Sequence, residues 1–332
     1  MFGNGANSRA LGLRAGDFVE VRTEREILST LDESGRLDGL PFMPEMRQYC
    51  GRTFRVFRRA DKACDTVGDY TSRRMMDAVH LEDLRCDGGH HGGCQAGCLL
   101  YWKEAWLKPL IARAAAGPAA AESESDARHP TRRPTRMAVE ALTTRPDPAC
   151  EGERLFVCQA TELRKATTPL HWWDPRQYLR ELRSGNVSLG TWVRALVRSW
   201  YNAAYRRIGN PNYPYVGGPL KSQTPSLRLG LRPGERVRVR SCEAIRATLN
   251  ENRKNRGLAF DVEMTPYCGG EYRVLRRVEH IINDRTGKML QLPGDCIILD
   301  GVVCQGCLSR NRLFCPRSIY PYWREIWLER VP

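Results

Sequence analysis

Residues 12–59 open with GLRAGDFVEVR and close with CGRTFRVFRR, and residues 230–277 open with GLRPGERVRVR and close with CGGEYRVLRR. The two stretches align without a gap and share 23 of 48 residues, which marks an internal duplication. The same offset of 218 carries Leu81 onto Leu299 and Cys86 onto Cys304. A three-residue insertion in the second copy then moves the offset to 221, pairing Cys94 with Cys315 and YWKEAWL (Tyr101 to Leu107) with YWREIWL (Tyr322 to Leu328). Two related modules, 11–110 and 229–332, therefore flank an unrelated middle.

Within each module DFVEVR and ERVRVR alternate apolar and polar residues, as do RTFRVFRR and EYRVLRR, and that period belongs to half-buried strands. EREILSTL and EAIRATL between them predict a short helix. AVHLE and CIILD, then EAWLK and EIWLE, predict further strands. Four or five short strands with Gly-rich bends predict a small barrel in each module. The GD-x-V-x-V opening resembles that of SH3-like barrels. The expected fold class is thus α+β: two duplicated SH3-like modules joined by a disordered linker and a helical middle segment.

The linker is read over 111–148. Its run ARAAAGPAAAESESDARHPTRRP is poor in branched apolar and aromatic residues, too poor to bury the surface that ordering requires. The helical segment and its Pro/Gly connector span 149–228. RLFVCQA (Arg154 to Ala160) predicts a strand, and Asp174-Pro175 starts a helix that ends near Gly185. Ser188 caps a longer helix stopping at Gly209. In it Leu189, Trp192, Val193, Leu196, Val197, Trp200 and Ala204 recur at helical spacing and are expected to face the core.

The 332-residue chain carries a formal charge of +14 and a pI near 9.4. The first module is close to neutral, so the excess sits in the middle and the second module. Such a surface suits nucleic acid or an acidic protein partner. No apolar run approaches the roughly 20 residues that cross a bilayer, and Met1 to Asp17 has no apolar signal core, so no membrane role and a cytoplasmic location are expected. P-loop, G-x-G-x-x-G, G-x-S-x-G and H-E-x-x-H patterns are absent from the sequence, which disfavours nucleotide-dependent and standard hydrolase chemistry.

Thirteen cysteines, an odd number, with no secretory signal point to thiolate or metal chemistry over a disulfide framework. Three recur in both modules: Cys50 with Cys268, Cys86 with Cys304, and Cys94 with Cys315. Zinc takes four tetrahedral Cys or His ligands. The second site is therefore read as Cys268, Cys304, Cys307 and Cys315, with Cys304-x2-Cys307 spaced as in a zinc knuckle. The first is Cys50, Cys86 and Cys94, completed by His91 or Cys98, with His90 as a further option. Iron or an iron–sulfur cluster is the alternative to zinc. Cys64, Cys150, Cys158, Cys242 and Cys296 have no repeat partner and are read as buried small residues or free thiols, and His80 as a packing residue. Glu45 and Glu263 recur within apolar segments; each is read as an ion-pair partner of a repeated Arg (Arg22/Arg240 or Arg55/Arg273), or else as an acid–base group or a carboxylate orienting a metal ligand.

LDGLPFMPEMRQYCGRTFRVFRRADKACDT, VHLEDLRCDGGHHGGCQAGCLLYWKEAWLKP and IILDGVVCQGC with LFCPRSIYPYWREIWLERV together resemble a family of bacterial tandem-module proteins without an assigned reaction. The resemblance implies a bacterial, cytosolic setting and transfers no activity. Two functions are expected from the residues. One is a structural zinc protein whose basic surface meets nucleic acid or another anionic partner. The other is a metalloenzyme or accessory protein of a biosynthetic pathway, with an open metal position in the first module.

Overall fold

In the first module β1 (Phe18–Val21), β2 (Thr53–Arg59), β3 (Ala78–Arg85), β4 (Leu99–Lys103) and β5 (Leu107–Pro109) pair in the order β4-β3-β2-β1-β5, antiparallel throughout. This is a computed structural model, which describes residues 10–68, 71–110, 136–209 and 213–331. In the second module β6 (Arg236–Val239), β7 (Glu271–Ile282), β8 (Met289–Leu299), β9 (Trp323–Arg324) and β10 (Leu328–Arg330) pair in the order β9-β8-β7-β6-β10. Registers match at the offsets of the sequence repeat. Val19 faces Phe54 and Val237 faces Tyr272, Val79 faces Trp102 and Ile297 faces Trp323, and a bulge follows Val56 and Val274 alike. The architecture is mixed α and β, mostly strand, with several smaller two- and three-stranded sheets beside these.

The YWKEAWL and YWREIWL motifs join the two edge strands of each sheet. A single 3-10 turn, Glu104–Trp106 or Glu325–Trp327, carries the chain from the far edge strand to the near one. It also buries two indoles, Trp102 and Trp106 in one core and Trp323 and Trp327 in the other. Phe42 packs edge-on at 5.5 Å from Trp106, and Phe260 at 5.4 Å from Trp327. Each second indole donates its N–H to a threonine at 3.0 Å, Thr30 or Thr248. Between the two Trp positions a buried carboxylate ties the 3-10 turn to the chain leading into the first strand of each sheet. Glu104 accepts from the N–H groups of Gly12 and Leu13 and pairs with Arg59, while Glu325 accepts from Leu229, Gly230 and Leu231 and pairs with Arg277. The short helices α1 (Glu24–Leu28) and α5 (Cys242–Arg246) are N-capped by Thr23 and Ser241 and bury Ile27 and Ile245 in the two cores.

The linker expected over 111–148 lies, for residues 111–135, outside the described residues. Beyond them α2 (Arg136–Ala141) is helical, and Thr144–Pro146 pairs with Arg154–Phe156, so the ordered middle starts earlier than composition suggests. α3 (Arg176–Arg183) follows Pro175 and stops before Gly185, whose φ of +74° suits glycine; α4 (Leu189–Arg207) starts on the Ser188 cap.

The core-facing stripe expected on α4 is corrected by the structure. Trp192, Ala195 and Leu196 pack against Tyr178, Leu313 and Phe314, but Leu189, Val193, Val197 and Trp200 face solvent, Trp200 at 85% exposure. The stripe was wide enough to wrap more than one face, and the helix seats only the side that meets the 313–314 loop. Among the described residues no helix is long and apolar enough to cross a membrane.

Candidate metal centre

The segment CDGGHHGGCQAGC (Cys86 to Cys98) leaves the end of β3 and returns at β4. Its ends are tied by the Cys86 N–H to the Cys98 carbonyl, 2.8 Å. Glycine is required where the loop folds on itself: at Gly88, φ +75°, a Cβ would stand 2.2 Å from the Cys94 carbonyl oxygen. The loop tip docks on β7, with the Gln95 N–H bonded to the His280 carbonyl at 2.9 Å and the Ile282 N–H directed at Cys94 Sγ, 3.4 Å. An amide N–H on sulfur is a contact that steadies a thiolate.

Cys86, Cys94 and Cys98 of this loop and Cys158 of the middle segment line one small cavity of about 40 Å³, though among the described residues no three of these sulfurs lie within 4.8 Å of one another. His91, Tyr101, Asp284 and Arg317 complete its polar wall. Burial pushes the Cys98 and Cys158 thiols up to about 12, with Asp284 and neighbouring sulfurs adding to the effect. Burial, then Glu45 and Cys98, raises Cys86 as well. Arg317 in the same wall opposes the shift at Cys98 without cancelling it, so these groups stay protonated, and a thiophilic cation would compensate the charge that thiolates bring.

Glu45 stands at the rim in the 3-10 helix Pro44–Tyr49. Its Oε1 lies 2.5 Å from His91 Nδ1 and accepts the His90 N–H at 3.1 Å. His91 Nε2 sits 3.0 Å from the Val157 carbonyl, which only accepts, so that nitrogen carries hydrogen. Burial opposes ionisation of Glu45, but the bond to His91 and its charge outweigh it and hold the carboxyl below its ordinary range. Glu45, Cys86 and His91 bring ligand atoms within 4.8 Å of one another. Among the described residues Glu45 Oε2 and Tyr101 Oη, both buried, have no hydrogen-bond partner.

The expected ion pair of Glu45 and Glu263 with a repeated Arg is therefore corrected. Glu263 accepts the N–H groups of Cys307, Leu308 and Ser309, so in both modules this carboxylate anchors the loop after the third strand. The apolar segments FMPEM and FDVEM point it inward, where loop amides are the nearest donors.

Of the sequence-predicted ligands, Cys86, His91, Cys94 and Cys98 line the cavity, with both His91 nitrogens engaged elsewhere. Cys50 does not line it; it caps the 3-10 helix near Glu24 and Arg47. Cys268 lies against Cys242, and Cys315 is buried against Cys64. Cys304 lines the larger cleft that adjoins the cavity and is not among the cavity's own lining, and Cys307 sits by Glu263. Among the described residues the set Cys268, Cys304, Cys307 and Cys315 forms no group within 4.8 Å, so its sulfurs stand in different contacts. His90 is exposed, and His80 is buried and packed on Tyr101 at 4.4 Å, its pKa lowered to about 3 by burial.

A second cluster, Asp147, Cys150 and Glu153, also meets the 4.8 Å condition. Lys288 Nζ lies 2.8 Å from Asp147 and 3.1 Å from Glu153, so a side-chain ammonium already serves as its cation. Cys158 was missed by the repeat because the middle segment that supplies it has no second copy. Its only sequence signal is a cysteine in the strand-like RLFVCQA.

No family model, curated protein or solved structure matches the chain.

Proposed function

We propose that the protein is a zinc-pinned scaffold in which one ion, held by Cys86, Cys94, Cys98 and Cys158, ties the middle segment to the first module. The observation that carries this reading is that Cys86, Cys94 and Cys98 of the loop and Cys158 of the middle segment line one 40 Å³ cavity; among the described residues no three of these sulfurs lie within 4.8 Å of one another, so the ion would draw them together on binding. Sulfur donors favour zinc among common divalent ions. When bound, the ion neutralises the thiolates and cross-links the chain. Glu45 fixes the His91 ring, and the Ile282 N–H supports Cys94.

In the same reading each module is an SH3-like barrel, supported by its strand order and the 3-10 turn before its last strand. The scaffold works in the cytoplasm, where thiols stay reduced, and offers its basic middle and second module to an anionic partner. Elemental analysis of protein purified in reducing, chelator-free buffer tests it. One equivalent of zinc supports the reading, and no metal removes it.

One observation favours a second reading, a metalloenzyme. The cavity shares Cys98, Asp284 and Arg317 with an open cleft of about 640 Å³ between the modules, room for a small substrate. A labile metal with turnover lost on Asp284→Asn would favour it.

A further inference from the structure

A groove of about 470 Å³ runs between α4 and the second module, away from the metal centre. Arg206 of α4, Arg253 and Arg310 line it, and among the described residues none of the three is paired with a carboxylate. The lining acids are Glu251 and Asp261, and Asp261 is already bound to Arg312. Three guanidinium groups thus face one free carboxylate. Burial and the charge of Arg206 both disfavour the cation on Arg310, the expected effect of like charges gathered without a counter-ion. Such crowding is relieved by an anion placed between the two arginines.

The groove also carries aromatic faces. Arg310 Cζ stacks 3.5 Å from the ring centroid of Trp172, and Tyr213 and Tyr215 line the wall with rings 61% and 50% exposed. Tyr213 is fixed from behind: Asn202 donates to its carbonyl and accepts from its N–H, both at 2.8 Å. Arg246 lies over the Tyr215 ring at 5.0 Å. Solvated aromatic rings held beside unpaired arginines match a ligand with a planar base next to a phosphate.

We propose that this groove binds a phosphorylated nucleoside, its phosphate between Arg206 and Arg310 and its base on the Tyr213 and Tyr215 side. The inference rests on the anionic-partner half of the proposed function and not on the metal. A free nucleotide and a unit of single-stranded nucleic acid share this chemistry.

The test titrates full-length protein with fluorescein-labelled dT15 by anisotropy across a salt series, and with ATP by calorimetry. The wild type binds at least one probe. Binding of dT15 with a steep salt slope identifies the strand as the source, and binding of ATP alone identifies the free nucleotide. The Arg206→Ala/Arg310→Ala double variant weakens binding by about tenfold or more and flattens the dT15 salt slope by about 0.7, the contribution of the one phosphate the pair holds. Arg194→Ala/Arg207→Ala, equal in charge change but outside the groove lining, leaves binding within about twofold. Equal losses in the two double variants would overturn the groove while leaving a diffuse basic surface in place. Binding to neither probe, with retention on heparin, would also overturn it and keep the anionic-partner reading. Failure on heparin as well would overturn both.

Discussion

Glu45 Oε1 and His91 Nδ1 are 2.5 Å apart, and both side chains are buried. The pair joins the first-module core to the cysteine loop, because His91 also bonds the Val157 carbonyl in the middle segment. Its partner in the repeat, Glu263, reaches only backbone amides. The two copies thus keep one loop anchor and differ in what the anchor holds.

Glu45→Gln removes the charge that His91 faces. A lost hydrogen bond to a charged group costs about 1.5–3 kcal/mol, and the loss should appear as a lower denaturation midpoint. The folded-state pKa of Glu45 is depressed, so its contribution is complete above the ordinary Glu value and fades as pH falls through the folded value. Stability of the wild type should therefore fall more steeply with acid than that of Glu45→Gln. Parallel acid limbs would show that the pair is not ionised.

Glu104→Ala and Glu325→Ala should each cost about 3–5 kcal/mol, because each strands a partly buried arginine and several amides beside the 3-10 turn. Chemical denaturation checks it. A cost under 1 kcal/mol at either site would contradict the shared role.

Trp200→Ser should change stability by no more than about 0.5 kcal/mol, since the ring is 85% exposed. Trp192→Ala, which loses packing on the 313–314 loop and a 2.9 Å bond to the Tyr178 carbonyl, should cost about 3 kcal/mol. The reverse order would mean that α4 is seated on its other face.

Chelator treatment should lower the melting temperature. Removing an ion present at a hundred times its Kd withdraws about 2.7 kcal/mol from the folded state. Re-addition of zinc should restore the transition, and magnesium should not, because hard cations prefer oxygen ligands.

The two five-stranded sheets were legible because their signals are local: the Trp pairs and alternating strands appear twice in the chain, and the register follows the offsets. The proposed metal centre was legible only in part. Cys86, His91, Cys94 and Cys98 crowd one glycine-rich segment, but the repeat drew attention to Cys50 and its counterparts, which have separate surroundings. A duplication shows what both copies share, and Cys158 comes from the segment that has no copy. The solvent-facing side of α4 was hidden for another reason, since periodicity locates an apolar stripe without saying which neighbour covers it.

The most direct test compares metal content in the wild type, Cys158→Ser and Cys50→Ser, each purified in reducing buffer and loaded with cobalt to report thiolate coordination by absorption. The account predicts one equivalent in the wild type and in Cys50→Ser, with Cys158→Ser losing the ion or its thiolate-to-cobalt band. A Cys158→Ser protein that keeps the wild-type content and spectrum, or a Cys50→Ser protein that loses them, would contradict it.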